Sequence, residues 1–356
     1  MGWDDELIDD SELCVRVELK KHLVHHLSDI PDPDAEVSQL PIEETWRRVG
    51  GSDGELLGKG GFGRVHKEEC IHDVRGIKVG RYRAVKVMKK GGQQKDKTEG
   101  QKGDKNLKAY YREELKALAK FSNPRSFGWY ESSNCIYITM EYLEHGDLQQ
   151  YLTEHFSEDD TRNIASQVVK GLEFMHKYHF IHRDLKPANL LVVDKPPRNW
   201  RVKIGDFGIS KRTADGVDHY STARIGTQEY MAPEVYFAPR ERDGEKASYT
   251  RAADMWALGA ICVRLMTRKP VFYIDDLVDY YKREGPFTAD DALSSRRISE
   301  DGRAYVRELM ARDPSLRLTA QQAARHRWIF CSRRTAPATT SQLQTLYVML
   351  PCLLMK

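Results

Sequence analysis

Alternation of apolar and polar residues marks the first half of the chain as strand-rich. The stretch RYRAVKVM, residues 81–88, places Ala84, Val85 and Val87 around one lysine, Lys86. This pattern predicts a strand with the lysine at its centre. The stretch CIYITMEYL, residues 135–143, is also strand-like because β-branched and aromatic residues dominate it. We therefore expect a β-sheet in this part of the chain.

Helical spacing takes over further along the chain. The stretch AYYREELKALAKF, residues 109–121, spaces Leu115, Leu118 and Phe121 three apart, which predicts a helix. Residues 159–180 predict a longer amphipathic helix. Its apolar face consists of Ile164, Val168, Leu172 and Met175. A strand-rich first part and a helix-rich second part predict two lobes that meet near residues 142–146.

The stretch LLGKGGFGRV, residues 56–65, contains a G-x-G-x-x-G motif at Gly58, Gly60 and Gly63. Such a motif binds the phosphates of either a dinucleotide or ATP, because glycines let the backbone approach a phosphate closely. A dinucleotide site requires the last glycine to open a helix. Here the β-branched Val65 follows, without an apolar face at helical spacing. A glycine loop between two strands, followed by the strand lysine Lys86, favours ATP.

Composition limits the classes of partner and compartment. A formal net charge of +3 on 356 residues offers no argument for nucleic acid or membrane binding. The six cysteines are scattered without a C-x-x-C pair, which indicates reduced thiols in an intracellular protein of the cytoplasm or nucleus. The longest apolar run, residues 346–355, is interrupted by Pro351 and is too short to span a bilayer. We expect no nucleic-acid partner and no membrane partner.

Three segments differ in composition from the rest. Residues 1–45 begin with Asp4, Asp5, Asp9 and Asp10 and later carry the proline-bearing IPDPDAE, which predicts a partly disordered extension outside the core. Residues 89–108 are rich in Gly, Gln and Lys and almost lack apolar residues, so a solvated loop is expected. Residues 331–356 form a C-terminal tail.

Four longer motifs identify a family. FIHRDLKPANLLV (180–192), KIGDFGIS (203–210), YMAPE (230–234) and DMWALG (254–259) resemble the eukaryotic protein kinase family, in family order. The resemblance covers about residues 50 to 330. It implies an α+β, two-lobed protein kinase fold at residues 46–330. An antiparallel β-sheet N-lobe with one main helix (about 46–141) would precede a mostly helical C-lobe (about 145–330).

The resemblance implies a role for each catalytic position. Lys86 would bind the α- and β-phosphates of ATP, and Glu114 would hold Lys86 by an ion pair. We choose Glu114 over Glu113 because Leu115 and the apolar positions after it then fall where the family's helix packs on the core. Asp184 of HRD would accept or orient the proton of the attacking hydroxyl.

The same resemblance implies the cofactors ATP and Mg²⁺. Lys186 would stabilise the transferring phosphoryl group, and Asn189 and Asp206 would bind Mg²⁺, a hard cation that prefers oxygen ligands. The residues implied in nucleotide binding lie on the glycine loop, the strands and the link between the lobes. They are Leu57, Gly58, Gly60, Gly63, Val65, Ala84, Lys86, Glu141, Leu143 and Leu191.

Two positions imply the serine/threonine class. Lys186 follows HRD at the place where tyrosine kinases carry a different residue, and Thr227 would bridge Asp184 and Lys186. The expected activity is therefore transfer of the γ-phosphate of ATP to serine or threonine of protein substrates. The alternative is a pseudokinase-like scaffold that binds ATP and partners without catalysis. It predicts the loss of Lys86, Asp184, Asn189 or Asp206, and none is lost.

The remaining implied residues are structural or regulatory. Glu234 and Arg317 would form a buried ion pair. His182 and Phe207 would stack with Leu118 in a column that Asp254 anchors. Arg183 and Lys211 match a basic pocket that binds a phosphate between DFG and APE. The expected acceptors are Thr222 and Ser221, with an upstream activating kinase as a partner. Constitutive activity without such a phosphate is the alternative.

Overall fold

The structure of the protein is a computed structural model. It describes residues 14–15, 44–50, 55–60, 63–73, 79–89, 128–131, 135–153, 156–206, 211–212, 217–218, 227–237, 249–283 and 285–330. The described residues divide into two compact units, one that ends at Tyr142 and one that begins at Leu143. We call them the first and the second unit and describe each by itself.

The first unit contains a seven-stranded sheet in which every strand pair is antiparallel. The strand order is β1-β2-β4-β5-β7-β6, and β3 pairs with β4. The strands are β1 (Cys14–Val15), β2 (Glu44–Arg48), β3 (Leu56–Gly60), β4 (Gly63–Asp73), β5 (Tyr82–Lys89), β6 (Gly128–Glu131) and β7 (Cys135–Glu141). The strands predicted over residues 81–88 and 135–143 are confirmed as β5 and β7.

Both faces of β5 are buried. Ala84, Lys86 and Met88 point to one face and Val85 to the other, and each is at most 8% exposed. The central position of β5, between β4 and β7, explains why a short apolar run surrounds the lysine.

The turn between β3 and β4 requires its last glycine. Gly63 has φ 151°, and a Cβ at this position would collide with the carbonyl oxygen of Val87 on β5. The glycine loop therefore lies between two strands, as predicted, and no helix follows it.

The first strand was not predicted. Residues 1–45 were expected to lie outside the core, but Cys14 and Val15 pair with Arg47 and Trp46 of β2. Without β1, strand β2 would be an edge strand with unpaired N–H and C=O groups. Pairing with the two residues of β1 satisfies some of these groups.

The second unit is mainly helical. Its helices are α1 (Glu158–Lys177), α2 (Pro233–Tyr236), α3 (Arg251–Thr267), α4 (Ile274–Lys282), α5 (Ala289–Ser295), α6 (Glu300–Leu309), α7 (Ala320–Ala324) and α8 (Arg327–Phe330). The amphipathic helix predicted over residues 159–180 is confirmed as α1. Ser157 begins it through a capping box with Asp160, and the predicted apolar face is buried.

Helix α3 is the core of the second unit. Nearly all its residues are buried, including Trp256, Leu258 and Ile261 at 1% exposure or less. The hydroxyl of Thr250 caps its N-terminus by accepting a hydrogen bond from the Ala252 N–H. A helix that is apolar on all sides must be packed on all sides, so the other helices surround it.

Three short antiparallel pairs complete the second unit. They join β8 (Phe180–Ile181) to β11 (Lys211–Arg212), β9 (Leu190–Asp194) to β10 (Arg201–Ile204), and β12 (Val217–Asp218) to β13 (Tyr249–Thr250). Among the described residues, no helix is long and apolar enough to cross a membrane.

Candidate active site

The predicted site residues fall in both units. Glu114, Ser221 and Thr222 lie outside the described residues, together with the helix predicted around Glu114. The backbone of Lys211 lies on β11.

Lys86 is held by strand pairing on both sides. It lies opposite Val65 of β4 and Ile138 of β7, and it is only 6% exposed. Ala84, two residues earlier, lies opposite Met140. Because side chains alternate along a strand, Val65, Ala84 and Lys86 share one face of the sheet. The first unit thus brings these three predicted residues together.

The predicted glycine-loop residues border the same face. Gly58 lies opposite Val65, and Gly60 lies opposite Gly63. Leu57 is 40% exposed, although it is a large apolar residue. A Cβ at Gly58 would meet no atom within 4 Å, so this glycine is next to open space. Glu141 and Leu143 were predicted to link the two lobes. Glu141 is the last residue of β7, and Leu143 is the first residue of the second unit.

Asp184 is the centre of a hydrogen-bond network in the second unit. Its Oδ1 accepts hydrogen bonds from the N–H and the hydroxyl of Thr227, at 2.9 and 3.1 Å. Its Oδ2 accepts from Lys186 Nζ at 2.7 Å and from Asn189 Nδ2 at 3.2 Å. Lys186 Nζ also donates to the Thr227 hydroxyl at 2.8 Å, so the predicted bridge by Thr227 is present.

Asp254 holds the two backbone residues before Asp184, which are His182 and Arg183. This carboxylate is 1% exposed and accepts hydrogen bonds from the backbone N–H groups of His182 and Arg183, at 2.9 and 3.0 Å. It also contacts His176 Nε2 at 2.9 Å. Burial alone would raise the pKa of Asp254, but the hydrogen bond and charge of His176 outweigh it and lower the pKa. The predicted contact of Asp254 with His182 is present, while Phe207 and Leu118 of the predicted column lie outside the described residues. Arg183 has φ 68°.

The hairpin of β9 and β10 brings Asn189 and Asp206 close along the backbone. The N–H of Gly205 donates to the carbonyl of Asn189 at 2.8 Å, and the Gly205 carbonyl contacts His182 Nε2 at 3.0 Å. A Cβ on Gly205 would lie 2.9 Å from Leu191 Cδ1, so Gly205 packs closely against the Leu191 side chain. Asp206 follows with φ 50° and an exposed side chain.

The oxygens of this second-unit group suit a magnesium ion. Asn189 uses its amide nitrogen to donate to Asp184, at 2.7 Å to the carbonyl oxygen, which leaves its oxygen as a ligand. The Asp206 carboxylate is a second hard oxygen donor, and it directly follows Gly205, whose N–H bonds to the Asn189 carbonyl. The donor set therefore fits Mg²⁺.

The predicted ion pair between Glu234 and Arg317 is present and bidentate. Arg317 Nη1 and Nη2 donate to the two carboxylate oxygens of Glu234, each at 2.7 Å. The Arg317 side chain is 0% exposed and also donates to the carbonyls of Ala311 and Ala252. Through Arg317, this pair connects helix α2, which contains Glu234, to the backbone at Ala252 and Ala311.

Sequence reasoning missed the cleft beside Asp184. Its walls include Leu185, Thr227, Tyr230, Val235 and Ala257. Burial raises the pKa of Tyr230 to about 12, so this phenol stays neutral. Tyr230 belongs to the quoted motif YMAPE, which is the signal that could have identified it.

Comparison with known proteins places the chain among protein kinases. The family described as Protein kinase domain matches residues 52–329. Serine/threonine-protein kinase RAD53 of Saccharomyces cerevisiae is 31% identical over 287 residues, 77% of this chain and 32% of the relative. Calcium/calmodulin-dependent protein kinase type 1 of Caenorhabditis briggsae is 30% identical over 282 residues, 77% of this chain and 71% of the relative.

A solved structure agrees with these relatives. The crystal structure of Rad53 1-466 in complex with AMP-PNP has a TM-score of 0.56 and 29% identity, and it covers 77% of this chain and 64% of that one. The predicted fold class is thereby confirmed. The chain spans about a third of the length of the yeast relative.

Proposed function

Because the chain belongs to the serine/threonine class of the eukaryotic protein kinase family, we propose that it transfers the γ-phosphate of ATP to serine or threonine hydroxyls of protein substrates. The observation that carries this proposal is the network of Asp184, Lys186, Asn189 and Thr227 in the second unit.

Asp184 orients the substrate hydroxyl. Its carboxylate already accepts four hydrogen bonds, two on each oxygen, so it cannot rotate freely. The bond from Asn189 Nδ2 to Oδ2, at 3.2 Å, is the longest of the four and is the one that an incoming hydroxyl displaces at least cost. Orientation of the attacking group is the main contribution that proteins make to phosphoryl transfer.

Lys186 and Lys86 supply positive charge. Lys186 Nζ is held by both Asp184 and Thr227, so its charge is fixed beside the oriented hydroxyl before the reaction begins. Lys86 is fixed by the β4 and β7 pairing and binds the α- and β-phosphates. Gly58, Gly60 and Gly63 would let the backbone of the loop approach the phosphates, because glycine has no Cβ, and the space beside Gly58 is open.

Asn189 and Asp206 would hold Mg²⁺, which would supply positive charge to neutralise the phosphates. In the first unit, Val65 and Ala84 would supply apolar contact to the adenine, and the backbone of Glu141 would be a hydrogen-bond partner. In the second unit, Leu191 and the backbone of Leu143 would have the corresponding roles. Leu57 covers the nucleotide from the glycine loop.

The test is phosphorylation of a degenerate peptide library by the purified chain with ATP and Mg²⁺. We expect transfer to serine and threonine, and a loss of several orders of magnitude in kcat for Asp184→Asn, Lys86→Met and Asp206→Ala. Arg198→Met, a substitution of an 82% exposed side chain elsewhere in the second unit, is the matched control. Near-normal activity of Lys86→Met or Asp206→Ala would contradict the assignment and favour a scaffold.

Regulation by phosphorylation of Thr222 or Ser221 is the second part of the proposal. A phosphate carries about −1.5 to −2 charges and would pair with Arg183 and Lys211. Arg183 is suited to transmit this contact because its backbone N–H donates to the buried Asp254. An upstream kinase would then supply the phosphate.

Phosphatase treatment followed by mass spectrometry of residues 211–234 tests this regulation. We expect lower activity after treatment and in Thr222→Ala, with Ser221→Ala as the paired variant. Unchanged activity of a chain shown to be unphosphorylated would indicate constitutive activity instead.

A further inference from the structure

Lys67 of β4 lies between two tyrosine rings of the first unit. Its Nζ is 4.5 Å from the ring centroid of Tyr82 and 4.7 Å from that of Tyr142. The rings contact each other edge to face, with centroids 6.0 Å apart and an interplanar angle of 66°. A cation at this distance from a ring is attracted by its negative face, so Lys67 binds both tyrosines at once.

The same lysine also contacts the residue before the glycine-loop strand. Nζ lies 3.4 Å from Glu55 Oε2, and the Lys67 N–H donates to the Glu55 carbonyl at 3.1 Å. The side chain is 16% exposed. Burial would lower the pKa of Lys67, but its contacts with Tyr142 and Glu55 outweigh this effect and raise the pKa. Lys67 therefore stays charged.

These contacts join three parts of the first unit. Glu55 directly precedes β3, which carries Leu57 and Gly58. Tyr82 is the first residue of β5, which carries Ala84 and Lys86. Tyr142 is the last residue of the unit and follows Glu141 directly.

The register places Lys67 on the face of the proposed nucleotide contacts. Lys67 lies opposite Ala84, and Val65 lies opposite Lys86, in the same pair of strands. Because alternate residues share a face, Lys67 is the next residue along from Val65 on that face. Lys67 thus lies beside the residues proposed to contact the adenine. It contacts Glu55, which precedes the glycine loop, and Tyr142, which follows Glu141.

We propose that Lys67 is a positioning residue for the nucleotide. It acts through Tyr142, which also contacts Tyr82 of β5, and through Glu55, which it holds against β4. It thereby sets the backbone at Glu141 and the start of β3 relative to Ala84 and Lys86. The inference rests on the proposed function, since it concerns the binding of ATP by that same site.

A positioning residue of this kind changes nucleotide affinity and leaves the chemical step alone. In the full chain, Lys67→Met keeps most of the unbranched apolar stem of the side chain but removes the charge. We expect the Kd and KM for ATP with Mg²⁺ to rise by up to about tenfold, because the energy of two cation–π contacts sets the upper limit of the effect. We expect kcat to stay within about twofold, because Asp184 and Lys186 do not depend on Lys67.

Companion variants separate this role from a general loss of structure. Lys67→Arg keeps a cation over the rings and should restore the affinity for ATP. Tyr142→Phe keeps the ring but removes the hydroxyl, so its Kd should lie between those of the unsubstituted chain and Lys67→Met, whereas Tyr142→Leu should reproduce Lys67→Met. Arg47→Met removes a cation from the same face of the sheet, where the side chain is 56% exposed and pairs with Glu69, and it should change nothing.

Calorimetry of ATP binding and steady-state kinetics on the same preparations decide the outcome. An unchanged Kd in Lys67→Met, or an equal rise in Arg47→Met, would overturn the inference alone. A fall in kcat with Kd unchanged would also overturn it. Absence of ATP binding by the unsubstituted chain would overturn the proposed function together with the inference, and this result is distinguishable because it appears before any variant is compared.

Discussion

Asp254 of the second unit and His66 of the first are both buried titratable side chains, and their surroundings have opposite signs. Asp254, 1% exposed, accepts hydrogen bonds from two backbone N–H groups and contacts His176. His66, 6% exposed, lies near Arg48 and Arg64, and its Nδ1 has no hydrogen-bond partner among the described residues. The two side chains are buried to a similar degree, but only Asp254 has partners that favour its charged form.

The pKa values of Asp254 and His66 depend on the groups that surround them as well as on burial. Burial disfavours the charged form of both groups. For Asp254 the donors outweigh burial, and the pKa falls below its ordinary value. For His66 the charges of Arg48 and Arg64 add to the effect of burial and lower the pKa to about 4. The comparison shows that burial alone does not set the charge of a side chain, because the partners determine which form is stable.

The largest test of this comparison removes a partner from a buried charge. Arg317→Met would leave the Glu234 carboxylate without its two donors, and the carbonyls of Ala311 and Ala252 would lose a donor too. We expect the free energy of unfolding to fall by about 3–5 kcal/mol, as for other broken buried pairs. Urea unfolding followed by circular dichroism measures this loss.

Arg307 provides the matched control in the same unit. It pairs with Asp290 at 2.8 Å, but both side chains are 35% exposed. Arg307→Met should cost no more than about 1 kcal/mol, since water replaces a partner at the surface. Equal losses for the two variants would show that pairing matters no more in the core than at the surface.

Elements with a local signal were predictable from the sequence. The strand around Lys86 and helix α1 were identified because the apolar period extends over many consecutive residues. The Asp184 network was also within reach, since Asp184, Lys186 and Asn189 lie within six residues of one another and belong to one motif.

Contacts between distant residues were not predictable. β12 and β13 have two residues each and exist because Val217 and Asp218 pair with Thr250 and Tyr249. Lys67 and Tyr142 are far apart in sequence, and only the sheet brings them together. No periodicity within a short window carries such information.

One face of β4 is buried although most of its residues are polar. His66, Glu68 and Cys70 alternate along the strand, and two polar residues of three indicate a solvent-facing side. The structure instead buries all three to 6% exposure or less, and Arg83 Nη2 pairs with the Glu68 carboxylate at 2.6 Å. Arg83 also stacks on the Trp46 ring, with its guanidinium carbon 4.2 Å from the centroid. Tertiary partners make a polar face compatible with burial.

The smaller test concerns His66 and acid. The unfolded chain binds a proton at this histidine near pH 6.5, whereas the folded chain binds it only near pH 4. As pH falls from 6.5 towards 4, the unfolded state therefore gains proton binding that the folded state lacks, and stability is lost. Between pH 7 and pH 5 we expect His66 to contribute a loss of about 2 kcal/mol.

Denaturant unfolding of the unsubstituted chain and of His66→Gln, at pH 7 and pH 5, measures this contribution. Glutamine keeps a polar side chain of similar size but does not titrate in this range, so the loss between the two pH values should shrink by about 2 kcal/mol. His72→Gln, a change at an exposed histidine on the same strand, is the control for removing any histidine. If His66→Gln lost stability with acid as steeply as the unsubstituted chain, His66 would already be protonated in the fold at pH 5. The cations Arg48 and Arg64 would then not control its charge, and the contrast with Asp254 would fail.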